Sequence, residues 1–118
     1  MQRIARLVLL CALLAGAGAQ AQILNQLGAS PMAQFNRTDT QLFRAAVDKA
    51  LREGPEGEPV AWSNPKSPAS GEVTPRSSQV IDGLQCRELL IANRFRTLRS
   101  EGVHTLCRDA AGQWRLRQ

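Results

Sequence analysis

The chain has 118 residues, with 15 lysines and arginines against 10 aspartates and glutamates, for a formal net charge of +5. That length supports one small domain. One histidine and three cysteines are a poor set for a structural metal, which wants four ligands, and no glycine-rich phosphate-binding motif occurs, so metalloenzyme and nucleotide-binding classes are set aside.

The N-terminus reads as an export signal. Arg3 and Arg6 supply a short positive region, the run LVLLCALL carries no charge, and AGAGAQAQ follows. Ala17-Gly18-Ala19 and Ala19-Gln20-Ala21 both satisfy the small-x-small cleavage rule. The apolar stretch 7–19 is too short for a bilayer, which needs about 20 residues. Cys11 follows Leu10 where a lipobox needs a small residue, which argues against lipid attachment. Residues 1–21 are therefore expected to be removed, leaving a mature chain of 97 residues with net charge +3 and no transmembrane segment.

Residues 22–37, rich in Gln, Asn and Ala, show no strong period and read as a flexible N-terminal arm. The clearest helix is 39–52, with Thr38 as cap and Gln41 completing a capping box. Phe43, Val47, Ala50 and Leu51 fall on one face, widened by Leu42 and Ala46, and Gly54-Pro55 stops the helix. Five prolines between 55 and 75 argue against long central strands in that stretch. Short strands are expected at 60–62, with Val60 and Trp62 on one face, and at 71–74, joined by a turn-rich loop 63–70. The last third is strand-like at 83–91, 103–108 and 113–116, with turns at Asn93-Arg94 and at 109–112. The fold class is α+β: one N-terminal helix packed on a small antiparallel β-meander, forming a domain over 38–118.

Cys86 and Cys107 remain after cleavage. An even count in an exported protein reads as a disulfide, here an inter-strand one, and closing a 21-residue loop stabilises by roughly 3 kcal/mol. Trp62 and Trp114, the largest apolar side chains, are expected to meet in the core beside that bridge. Arg87 and Arg108 each follow a half-cystine, so strand alternation points them away from it.

Several short pieces occur in a familiar order: Ala50-Leu51, Trp62-Ser63-Asn64-Pro65, Gly71-Glu72-Val73-Thr74-Pro75, Cys86-Arg87-Glu88, Cys107-Arg108 and Gly112-Gln113-Trp114. The pattern resembles the C-terminal domain of the rickettsial-type seventeen-kilodalton outer-membrane surface antigens, over about residues 42–117. The resemblance implies export and this domain's fold. It departs from many members in lacking a lipobox and a glycine-zipper segment, so membrane insertion is not carried over.

Residues 83–118 hold seven arginines against Glu88, Glu101 and Asp109. Arg94, Arg96 and Arg99, joined by Arg87 and Arg108 in the expected pairing, form a candidate anion-binding patch. In an exported protein the corresponding partners are anionic envelope polymers, or another envelope protein, and not nucleic acid. His104 has no nucleophile-elbow motif to serve and no pair of carboxylates stands out, so no catalytic residue, metal site or cofactor is assigned. The expected function is an exported periplasmic or surface envelope protein acting as a non-catalytic binding or structural module. The alternatives are a small secreted inhibitor, inserting the loop 63–70 into a host or competitor enzyme, and a minor envelope hydrolase.

Overall fold

A computed structural model describes residues 30–118, so the expected signal peptide and residues 22–29 lie outside the described part. A 3-10 turn (Pro31–Gln34) leads into α1 (Arg37–Arg52), followed by β1 (Val60–Ser63), β2 (Ala69–Ile81), β3 (Leu84–Phe95), β4 (Leu98–Arg108) and β5 (Trp114–Leu116). The five strands form one antiparallel sheet in sequence order, with α1 packed on one face. The arm expected over 22–37 is ordered from Ser30 onward, because Phe35 inserts its ring edge-on against Trp62 with centroids 5.2 Å apart.

Helix α1 begins two residues earlier than Thr38 suggests. Asn36 is the cap: the Asp39 N–H donates to its side-chain oxygen at 2.8 Å, and the Asn36 N–H donates back to the Asp39 carboxylate at 3.0 Å. This reciprocal pair satisfies two orphan donors, and a carboxylate in the first turn also complements the helix dipole. At the other end, Gly54 is needed for closeness and not for a left-handed turn. A Cβ there would lie 2.6 Å from Cγ of Pro75 and 2.9 Å from the Ala50 carbonyl oxygen.

The proline-rich stretch contains a longer strand than expected. β2 runs 13 residues, through Pro75, with a register shift between Pro75 and Ser78. Proline is tolerated because β1 pairs only as far as Val60↔Val73, so the missing N–H of Pro75 faces no strand. Its carbonyl, on the same side, accepts from the Gly57 N–H at 2.8 Å.

The hairpins are tight. Asp82 and Gly83, both at positive φ, make the two-residue β2–β3 loop, the arrangement an Asp-Gly pair favours. The β3–β4 turn falls at Arg96-Thr97 and not at Asn93-Arg94. The register that pairs Cys86 with Cys107 puts its midpoint there, and Asn93 stays buried within β3. The turn expected at 109–112 is present, with the Gly112 N–H donating to the Asp109 carbonyl at 2.9 Å.

The core lies between α1 and the β1–β3 half of the sheet: Ala46, Ala50 and Leu51 against Trp62, Ala69, Val73 and Leu89. The Cys86–Cys107 disulfide is formed, with Cα atoms 4.0 Å apart, on the face away from the helix. Trp62 and Trp114 do not meet. They sit on the two outermost strands, which lie about 19 Å apart at the usual strand spacing, with Trp62 level with Ser100 of β4 and Trp114 level with Arg108. Both point to the helix side, Trp62 buried and Trp114 half-buried; Trp114, paired with Arg108 next to Cys107, lies on the face opposite the disulfide.

Candidate functional site: a groove beside the helix

A helix is about 10 Å wide, whereas five strands span about 19 Å. One helix therefore covers half the sheet, and α1 packs chiefly on β1 and β2. The bare half forms a groove of about 770 Å³. Phe43, Val47 and Leu51 of α1 make one wall, Ile91, Gly102 and Leu106 the floor, and Trp114 and Leu116 the other wall. Met32, from the 3-10 turn that packs on β3 and β4, closes one end. The lining is mainly apolar, and Met32 and Leu116 are 51% and 54% exposed. Arg44, Asp48 and Arg52 stand at the rim. His104 opens onto the groove beside Gly102. Among the described residues no three His, Cys, Asp or Glu side chains gather as a metal site would require.

The five arginines expected to form one patch are split. Arg94, Arg96 and Arg99 are exposed around the β3–β4 turn, where Arg94 pairs directly with Arg99 across the strands. Arg96 takes a positive φ of 55°, and its guanidinium lies 5.8 Å from the Phe95 ring centroid. Arg87 sits seven residues from Arg94, hence about 23 Å along the strand and on the opposite face. It is occupied structurally: its guanidinium donates to the carbonyls of Ala50, Leu51 and Gly54, capping the C-terminus of α1. Arg108 also lies on the helix side, where its Nε donates to the Gly112 carbonyl at 3.4 Å. Strand alternation did turn both away from the bridge, and so also away from the hairpin-tip cluster.

At the N-terminal end of α1, Asp39 is fully buried. Besides the Asn36 N–H, Asn64 Nδ2 donates to it at 2.8 Å and Ser67 Oγ at 3.1 Å. Burial pushes its pKa up, but these hydrogen bonds outweigh burial and hold it below the usual carboxylate value. The network ties the β1–β2 loop down onto the helix. Pro65, Lys66 and Pro68 of that loop stay exposed. At the other end of the sheet Asp109 fastens the β4–β5 turn. Arg115, foremost, and the N–H groups of Gln113 and Ala111 donate to its carboxylate and lower its pKa.

The pieces that carried the resemblance have scaffold duties. Asn64 holds the Asp39 network, Pro75 packs on Gly54, Arg87 caps α1, and Gly112 takes a φ of 82°. Gly71 lets three groups converge: a Cβ there would lie 2.6 Å from each of Trp62 Nε1, Asn93 Oδ1 and the Ala92 carbonyl oxygen. Trp62 Nε1 and Asn93 Oδ1 are buried without a hydrogen-bond partner. The groove, by contrast, was missed from the sequence. Its signal lay in the ratio of one helix to five strands and in apolar Met32, Leu106 and Leu116.

The family model described as 17 kDa outer membrane surface antigen matches residues 49–115, from the end of α1 through β5. Two relatives described as "17 kDa surface antigen", one from Rickettsia bellii and one from its strain RML369-C, are each 32% identical over 108 residues. The alignment covers 91% of this chain and 65% of each relative, so the chain spans just under two thirds of the length of those proteins. No solved structure matches. With over half the chain under the family model and a relative 32% identical over 91% of it, this protein belongs to the 17 kDa outer membrane surface antigen family of the cell envelope.

Proposed function

We propose that the domain serves in the cell envelope, on the periplasmic side or at the outer-membrane surface, as a non-catalytic binding module whose groove holds an apolar segment of another envelope protein. The observation that carries this reading is the uncovered half of the sheet: apolar side chains from α1, β3, β4 and β5 converge on one open groove instead of on a second helix. An exposed apolar surface of this kind typically marks a binding site. The test uses the dye ANS as an apolar probe on the mature protein. Binding should be lost in M32D and L116D, both at exposed positions, with thermal stability retained. It should persist in V80D, on the equally bare β2–β3 hairpin (Val80 is 72% exposed). Binding unaffected by the groove substitutions removes the reading.

A second reading rests on the arginines of the β3–β4 turn. Arg94, Arg96 and Arg99 are exposed and none lies in an ion pair among the described residues, which suits an anionic envelope polymer. Binding of lipopolysaccharide should then fall steeply with salt, because such charges are screened over about 8 Å at physiological ionic strength. It should vanish when all three become Ser. A protein with no affinity for the polymer at low salt rules this reading out.

A further inference from the structure

We propose that two copies of this chain join edge to edge through β4, in the register that sets Arg99 of each against Glu101 of the other. β5 covers only the far end of β4, pairing from Leu106 to Arg108, with the Arg117 N–H reaching the Thr105 carbonyl at 2.8 Å. Among the described residues no strand lies beside 98–103 on that side. The Thr105 carbonyl and the Asp109 N–H both bond toward β5, so the odd-numbered residues of β4 turn their backbone groups outward. Arg99, Glu101 and Val103 thus present a row of unpaired donors and acceptors, a template for another strand.

Charge selects which strand. On the face away from α1, Arg94 stands directly opposite Arg99, and like charges so placed destabilise a sheet. Neither is in an ion pair, and Glu101, opposite Ala92, has none either. An antiparallel pairing of two β4 strands about a two-fold axis at Ser100 brings Glu101 of the partner subunit beside Arg99, and does so twice. It also matches outward backbone groups with outward backbone groups, as a ladder requires. Moving the axis to Arg99 or to Glu101 would set like charges face to face. Moving it to Gly102 would demand the Thr105 edge, which Arg117 already occupies. A two-fold axis perpendicular to the sheet keeps both helices on one side, so the result is a continuous ten-stranded sheet. The contact uses the edge of the sheet and not its face, so it holds whether or not the groove binds an apolar segment.

The test is sedimentation of the mature, disulfide-bonded chain over a wide range of concentration. The wild type should associate to a dimer. R99E and E101R should each weaken the dimer by about tenfold or more, since each converts two attractive contacts into repulsive ones. The double variant R99E/E101R should recover it. R99E also removes the Arg94–Arg99 repulsion within one copy, so its monomer should melt no lower than wild type, separating lost association from lost folding. Amide exchange at Arg99 and Glu101 should slow as concentration rises. E101R separates this dimer from polymer binding, because it adds positive charge while breaking the pairing. A wild type that stays monomeric throughout, a dimer indifferent to either swap, or a double variant no better than the singles would overturn the proposal.

Discussion

Replacing Asp39 by alanine is the sharpest probe of how the helix is held to the sheet. The substitution removes an acceptor of three hydrogen bonds, from the Asn36 N–H, Asn64 Nδ2 and Ser67 Oγ, at 3.0, 2.8 and 3.1 Å. Asn36 is exposed and Ser67 half-exposed, so water can replace the carboxylate there. Asn64 is only 6% exposed and would keep a buried amide without its partner. Bonds to a charged group contribute about 1.5–3 kcal/mol each, and an orphaned buried group costs about 1–3 kcal/mol. Allowing for resolvation, the loss should be about 3 kcal/mol, roughly two powers of ten in the folding equilibrium. Urea unfolding should show it as a lower midpoint with unchanged slope. D109A removes a carboxylate with as many hydrogen bonds but in an exposed turn, and should cost far less. The pH dependence has a definite sign. The folded pKa of Asp39 lies below the usual carboxylate value, so the unfolded chain binds the proton more readily. The stability it confers is complete above that value and is lost as pH falls through the folded pKa. D39A should decline less steeply than wild type in that acid window, with Asp109 supplying part of the remaining slope. A loss in D39A below about 1 kcal/mol, or an acid slope equal to wild type, would refute this account of the network.

Other expectations follow from individual contacts. C86S/C107S should unfold more easily by roughly 3 kcal/mol for the 21-residue loop, measured by urea melts. G71A should cost at least about 2 kcal/mol, because one of the atoms its Cβ would strike, the Ala92 carbonyl oxygen, is backbone and cannot swing away. R96G should raise the melting temperature by relieving the positive φ of 55°, a gain of about 1 kcal/mol.

How much of this was legible in the sequence varies by feature. The disulfide, the amphipathic stripe of α1 and the facing of Val60 and Trp62 followed from cysteine count and periodicity, which are local signals. The strand lengths did not. β2 passes through Pro75 only because β1 stops at Val60↔Val73, a fact of pairing and not of composition. The β3–β4 turn could have been placed, since pairing Cys86 with Cys107 fixes the midpoint at Arg96-Thr97. The residues Asn93-Arg94 looked more turn-like than the ones the register demands. Arg87 looked like surface charge because its acceptors, the carbonyls of Ala50, Leu51 and Gly54, lie more than 30 residues earlier in the chain. The same long-range blindness concealed Asp39, whose partners Asn64 and Ser67 come from the next loop but one element away.

The groove is the centre of the functional account, and site-directed photocrosslinking in living cells tests it most directly. A photoreactive residue at position 32 or 116, at one end and in one wall of the groove, should give one discrete adduct with an envelope protein, and the same probe at position 80 should give none. The adduct from position 116 should disappear when Met32 is changed to Asp in the same chain. Adducts that form equally from all three positions, or that survive the Met32 change, would contradict a binding role for the groove.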